Sequence, residues 1–553
     1  MSADTFTAPT APPRDREGTE ARETPRRRLR LPASLRLSRT TIAVSLLALV
    51  AITVYLRTRG LHFYLWVDEG LSVGIASHPL SQIPSLLRQD GSPPLYYLIL
   101  HVWMSLRGRS EVSTHELSLL FAVLTIPASY WAGASLFGRR TGLIAAVLAA
   151  GAPYLTTYGQ ETRMYALMAL LSVIVAGSFV HSFVYHRRRY LPVFSVSLAA
   201  ALYTHNWGLF LGLFCAAGFL WCVYATPSAE RGRCWRDGLI GFGVVALLFA
   251  PWLPNLIYQA QHTGAPWDLP PVLWSLTTAP YFLVGGRGVA MTLLLGGGVG
   301  LAAVGILPAL VGRRVVPIAG DLDPEAARLR LSAQSLLILG LGTVLFAWAY
   351  SKITPAWAPR YFAAVVGPLL LLFALGLSRA RRLGMVALAF CACFWLLDPV
   401  THHRDSKSNV ASVAHQIKPY LRSDVIVLST QPEQVPTISY YLPQVRQFAT
   451  PLGRTPDPHV VDWRDALAKM ERPTVHRVLI PLVATLHVGE QVLFVIPLHF
   501  PKAPTYMKMI NRASAGWSVY LNNSPRLHYV TTAYYQYNKT GQPVQAYLYD
   551  VVR

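Results

Sequence analysis

"SPPLYYLILHVWMSL", residues 92–106, decides how this chain is threaded. The stretch is apolar but opens on Pro93-Pro94, and at about 14 usable residues it falls short of the roughly 20 that an α-helix needs to cross a bilayer. If it spanned, every later loop would change side. The basic loops "GRR" (138–140), "HRRR" (186–189), "RGRCWR" (231–236), "GRR" (312–314) and "SRARR" (378–382) would then lie outside. If it lies flat in the interface, they fall inside with the basic N-terminal arm. The positive-inside rule selects the second threading, and so does the length of the stretch.

The frame around it is a membrane protein. The 553 residues are 53% hydrophobic and only 14% charged, where a soluble chain would carry about a quarter charged residues. Mean hydropathy is +0.35. The formal charge of +22 sits largely in short clusters between apolar runs, which encodes topology and argues against a nucleic-acid partner. Candidate spans are 41–57, 115–136, 141–158, 164–185, 190–204, 207–225, 238–257, 289–311, 333–350, 360–378 and 383–399. The fold class expected is therefore a polytopic α-helical membrane protein of about eleven spans, followed by a C-terminal extracytoplasmic α/β domain. Residues 1–40, rich in Pro, Thr, Arg and Glu, read as a disordered cytoplasmic arm. Residues 41–400 form the transmembrane part, with a first outer loop at 58–114. Residues 401–553 contain "DVIVLST" (424–430), helix-like "QVPTISYYL" (434–442), "QVLFVIP" (491–497) and a terminal hairpin turning near Lys539-Thr540-Gly541. The five cysteines all precede residue 400, so the tail has no disulfide framework.

With the sides fixed, the informative polar residues converge on the outer face. Asp68-Glu69 follow the first span. A carboxylate there can cap the next helix, or act as a positioned, partly shielded general base. In "YGQETRMY" (158–165), Glu161 and Tyr165 share a helix face, with Arg163 between them. His205, in "THNW", is a polar turn residue unless Glu69 or Glu161 approaches; the pair would then suit a divalent metal ion, the one cofactor this pattern admits. In "SKITPAWAPRY" (351–361), Lys352, Arg360 and Tyr361 put cations and an aromatic ring where topology does not ask for positive charge, and arginine forks match phosphate geometry.

Taken in order and by side, these motifs resemble the GT-C superfamily of lipid-linked-sugar glycosyltransferases, nearest the protein O-mannosyltransferase and aminoarabinose-transferase group. The resemblance covers roughly 41–400. It rests on the "DE" after the first span, the long first loop, "SPPLYYLI", "TTYGQETRMYAL" and "APRYFAAVVGPLLLL". It implies a multi-pass plasma-membrane enzyme that takes a sugar from a polyprenyl-phosphate carrier on the outer face. The acceptor would be a hydroxyl of an envelope glycan, a lipid or a protein. By the same resemblance Asp68 matches the catalytic carboxylate, Glu69 its companion, and Glu161 and Arg163 the second-loop cluster. The tail is not diagnostic of these groups.

The chemistry fits. A phosphate-linked sugar carries its own leaving group, Asp68 could accept the proton of the attacking hydroxyl, and Arg360, Arg163 or Lys352 could stabilise the departing phosphate. Direct attack would invert the anomeric centre. The competing class is a transporter or flippase of lipid-linked substrates, but such proteins place charges near the bilayer midplane, whereas here the spans are nearly charge-free.

Overall fold

The computed structural model describes residues 38–305, 324–397, 407–498, 504–534 and 542–553. The arm expected over 1–40 lies almost wholly outside them, as do the basic loop 312–314 and the hairpin turn at 539–541. The first helices are α1 (Arg39–Thr58), α2 (Val67–Ala76), α3 (Ile83–Asp90), α4 (Leu95–Arg107), α5 (Glu111–Phe137), α6 (Arg139–Gly151), α7 (Pro153–Tyr158) and α8 (Tyr165–Phe179).

The deciding stretch is α4, a 13-residue helix. It buries Tyr96, Tyr97, Leu100 and Met104 while Val102 and Leu106 are exposed, and its 13 residues reach about 20 Å, short of the roughly 30 Å of a bilayer's hydrocarbon core. It packs between α2 and α5, and its first free N–H, on Leu95, donates to Tyr203 O (2.9 Å).

Seven described helices are long and apolar enough to span, or eight if the pair Leu273–Val284 and Arg287–Ala303, bent by 89°, counts as one crossing. The other three of the eleven expected runs form helices that are broken or shorter than 18 residues. The run 141–158 breaks at Pro153, which cannot donate to the helix. Segments 190–204 and 383–399 form helices of 12 and 17 residues. The bundle core is α8, whose residues are almost all buried, with α5, Leu191–Leu202 and Ala363–Arg379 around it. Where helices touch, glycine removes the side chain: Gly367 approaches the Ser172 backbone so closely that a Cβ would fall 2.3 Å from it.

The C-terminal part is a six-stranded sheet of order β3-β2-β1-β4-β6-β5, with β1 (Val425–Ser429), β2 (Gln447–Thr450), β3 (Gly453–Arg454), β4 (Gln491–Pro497), β5 (Leu527–Ala533) and β6 (Val544–Val551). β1 pairs in parallel with β2 and β4, and the remaining pairs are antiparallel. β1 and β4 are buried along their length, which is why both read as unbroken apolar runs. The sheet does not hang free. Helix Val435–Tyr441 packs on α2, Tyr441 Oη accepts from Leu65 N (2.7 Å), and His78 Nε2 meets Asp457 Oδ2 at 2.8 Å.

That docking depends on glycines in α2. A Cβ on Gly74 would sit 2.1 Å from the backbone oxygen of His459. Gly74→Val should therefore lower stability by about 1–3 kcal/mol and speed hydrogen exchange in both α2 and residues 455–460. Gly232→Ala, in open space, serves as the control. Unchanged exchange in the Gly74 variant would show that the docking does not hold.

Candidate active site

The site begins at the break after α6. Pro153 leaves Ala149 O without its helical donor, and Arg57, at the end of α1, supplies one. Its guanidinium donates to Ala149 O (3.1 Å), Ala150 O (3.0 Å) and Thr156 Oγ1 (3.2 Å), and it is buried. The Arg57 carbonyl in turn accepts from Gln160 Nε2 at 2.5 Å. The turn 159–164, which carries Glu161 and Arg163, is fixed in this way.

Glu69 fixes the other side. Its Oε1 accepts from Thr162 N (2.7 Å) and faces His115 Nε2 (2.8 Å), while Oε2 accepts from Trp66 N (3.2 Å) at the start of α2. His115 Nδ1 faces Leu61 O (2.8 Å). A carbonyl can only accept, so Nδ1 carries a proton, and a second proton lies between Nε2 and Glu69. The pair is fully buried, with side-chain exposures of 0% and 3%. Burial pushes the Glu69 carboxyl up, but the His115 charge and the Thr162 N–H outweigh it and hold the group below its ordinary value. Glu69 was expected to be the catalytic companion of Asp68, or to pair with His205 at a metal. It is instead consumed by the protein, tying α2 to α5 and to the turn of Glu161.

Adjacent residues on a helix diverge by about 100°, so Asp68 points elsewhere. Its carboxylate stays 23% exposed, and Oδ2 lies 4.0 Å from Arg360 Nη1. Arg163 approaches from the other side, with Nη1 donating to Asp68 O (3.1 Å) and Ser72 Oγ (2.9 Å). Both arginines have a buried Nε with no hydrogen-bond partner among the described residues, and so does Trp66 Nε1. Arg360 also lies 5.3 Å from the Tyr361 ring and 5.9 Å from that of Trp66. The wall behind them is aromatic: Tyr165 neighbours Tyr158, His205 and Tyr361 at centroid distances of 5.1, 5.8 and 6.4 Å.

Asp68, Arg163, Tyr165, His205, Arg360 and Tyr361 are thus brought together. Lys352 is not; it is exposed and sits over Trp348. Glu161 is buried and accepts from Lys407 Nζ. The expected pairing of His205 with Glu69 or Glu161 around a metal is not made, because both carboxylates are engaged elsewhere. His205 Nδ1 accepts from Trp207 N (3.0 Å), and burial, then the nearby Arg163 and Arg360, push its pKa down to about 3. Among the described residues no group of three or more His, Cys, Asp and Glu is arranged to hold a metal.

Sequence reasoning missed Lys407, Trp66, Asp90 and Asp268. Lys407 reaches from the tail to Glu161 and lies 4.7 Å from the Trp66 ring. Burial raises the Asp90 carboxyl, and raises Asp268 to about 6, with the Asp68 charge adding to both and Arg360 opposing at Asp268. Asp90 immediately precedes "GSPP" and Asp268 stands in "PWDLPP"; a buried acid beside prolines was the available signal.

This fold has known counterparts. The crystal structure of ArnT from Cupriavidus metallidurans in the apo state superposes with a TM-score of 0.58 at 15% identity, covering 92% of this chain and 98% of that one. The fold is that of the GT-C glycosyltransferases. A second structure of the same protein, bound to undecaprenyl phosphate, gives 0.55 at 15% identity with the same coverage. Residues 91–258 match the model of the dolichyl-phosphate-mannose-protein mannosyltransferase family. That stretch takes in α4, Glu161, Arg163 and His205, but stops short of Asp68 on one side and Arg360 on the other. No curated protein matches the chain. Within this GT-C fold the site sits where α2, the turn after α7 and the start of Pro359–Arg379 meet the C-terminal domain.

Because Glu69 is held below its ordinary value of 4.5, its stabilisation is complete above that pH and is lost as pH falls through the lowered folded value. Glu69→Gln leaves His115 buried without its carboxylate and should cost about 3–5 kcal/mol. It should also flatten the acid limb of a stability profile measured from pH 7 to pH 3. An acid limb identical to that of the parent would show that the pair is not the anchor.

Proposed function

We propose that this chain is a membrane glycosyltransferase that moves a sugar from a polyprenyl-phosphate carrier to a hydroxyl acceptor, on the face where α2 and the C-terminal domain meet. The single observation that carries the reading is the placement of Asp68. A solvent-reachable carboxylate stands between two arginines whose Nε groups are buried and have no hydrogen-bond partner among the described residues. A buried donor without an acceptor is costly, and a phosphate supplies several acceptor oxygens at once. The GT-C fold supports the reading, as does the undecaprenyl phosphate bound in the ArnT structure.

In this reading the carrier phosphate lies against Arg163 and Arg360, with the isoprenoid chain along the aromatic wall. The acceptor oxygen attacks the anomeric carbon from the side opposite the phosphate. The bond from that carbon to the phosphate oxygen breaks, its electron pair leaves with the phosphate, and the hydroxyl proton passes to Asp68. One displacement inverts the centre. Both arginines are fixed before reaction, so the charge gathering on the leaving oxygen meets donors that need no reorganisation. Sidedness follows the basic loops: their bias puts this face outside the cytoplasm, and the reading assigns the protein to the plasma membrane. The acceptor class is left as an envelope glycan, a lipid or a protein hydroxyl.

Asp68→Asn keeps the size of the side chain and removes its basicity. Turnover should fall 10²–10⁴-fold, with donor binding and melting temperature preserved. Arg360→Ala should weaken donor binding, and Arg360→Lys should restore it only in part, because the fork is lost. The assay is release of polyprenyl phosphate from a labelled lipid-linked sugar by the purified chain, with donor affinity measured separately. Normal turnover by the Asn variant would remove Asp68 as the base. Unchanged donor affinity in the Ala variant would reduce Arg360 to a membrane anchor.

A further inference from the structure

The described residues hold a second concentration of charge, at the far end of the bundle. α5 runs 22 residues from His115 to Phe137, about 33 Å at 1.5 Å per residue, and its last residue lines a cavity of about 810 Å³. Five arginines line that cavity: Arg139, Arg140, Arg330, Arg379 and Arg381. No carboxylate occurs among its described lining residues. The walls between the arginines are apolar, from Phe137, Val304 and Leu329.

Positive flanks on this side are what topology requires, but topology needs only charge in each loop, not convergence. Here three separate parts of the chain bring their arginines to one place, and the protein holds two of them together. Arg140 Nη2 donates to Arg381 O at 3.0 Å, and Thr141 Oγ1 donates to Ser378 Oγ at 2.8 Å. Two helices also begin at the cavity, α6 at Arg139 and Arg381–Leu397 at Arg381. Neither has an acid in its own first turn, so two positive dipole ends add to the arginines. Arg381 adopts φ +53°, a conformation a non-glycine residue adopts only at a cost. Arg330 Nε is buried with no hydrogen-bond partner among the described residues. A concave, cationic, partly apolar site with an unsatisfied donor calls for a phosphate on a lipid. The surface beside it supplies the place for acyl chains, since Leu383 and Val386 are 50% and 66% exposed on the helix that opens with Arg381.

We propose that this cavity binds the phosphate headgroup of an anionic membrane lipid, on the face opposite the candidate active site. Basic pockets between transmembrane helices on the cytoplasmic side are suited to such headgroups. The site is independent of the glycosyl-transfer reading, shares no residue with it, and would survive the failure of that reading.

The test uses the full purified chain in detergent, with bound lipid counted by native mass spectrometry. The probes are cardiolipin, phosphatidylcholine and inorganic phosphate. Cardiolipin should be retained and phosphatidylcholine not. The Arg140→Ala/Arg379→Ala/Arg381→Ala variant should bind cardiolipin roughly fivefold more weakly per arginine removed. Should that variant not fold, Arg330→Gln alone must lower retention, while Arg107→Ala on α4, at the other face, must leave it unchanged. Equal cardiolipin retention in the parent and the cavity variants overturns the proposal. So does displacement of cardiolipin by millimolar inorganic phosphate, which would make the cavity a site for a soluble anion rather than a lipid.

Discussion

The geometry of the site rests on one buried carboxylate whose oxygens are held by the protein itself. Glu69 accepts from the start of its own helix, from the backbone of Thr162, and shares a proton with His115. Three pieces of chain separated by up to 93 residues meet at its two oxygens. Once Glu69 is buried and paired, Asp68 has a fixed direction, because it precedes Glu69 on the same helix. The adjacent acids thus divide between holding and facing the open site. A buried pair of this kind adds little net stability over an apolar packing, since desolvation offsets most of the attraction. What it supplies is a single arrangement, because a shift of α2 would strand a charge.

Arg57 performs the matching service for the turn of Glu161. A proline-broken helix exposes carbonyls that water would normally satisfy, and inside a membrane bundle water is scarce. Arg57 satisfies two of them and passes its own carbonyl to Gln160. The break in α6 and α7 is therefore tolerated only with a cation at the end of α1. The same break lets Tyr154, just after Pro153, donate to Arg360 O. Two arms of the site, the second-loop turn and the start of the span carrying Arg360, thus lean on one interrupted helix.

Much of this was legible in the sequence. The length and opening prolines of 92–106 predicted a short helix there, and α4 is one, with 13 residues. The unbroken apolar runs at 424–430 and 491–497 gave β1 and β4. Asp68, Arg163, Arg360 and the two tyrosines could be gathered because each stands where a span meets a loop, and a charge or ring there is conspicuous. Length alone does not show continuity, since a run such as 141–158 holds enough apolar residues but is divided by Pro153. Lys352 misled because a cation in a loop between spans looks the same in sequence whether it turns toward the site or, as here, toward Trp348. Lys407 was illegible for the opposite reason. It follows the last span in a polar stretch, and nothing local shows that the tail folds back over Glu161. The fate of Glu69 was hidden too, because His115 reads as one more residue at the start of an apolar run.

The charge arrangement around Asp68 also bears on how donor and acceptor would be aligned. Arg360 Nη1 lies 4.0 Å from Asp68 Oδ2, and Arg163 Nη1 donates to the Asp68 backbone carbonyl, so the carboxylate itself is held by neither fork at hydrogen-bond distance. In the glycosyl-transfer reading, a phosphate brings two or three oxygens to a guanidinium that one distant carboxylate oxygen does not fill, and the fork favours the phosphate. Arg163 meanwhile fixes the backbone of Asp68 and so the direction of its side chain. The groups that would hold the donor are thus the same groups that set where the carboxylate stands, and no moving part is needed to bring the two together.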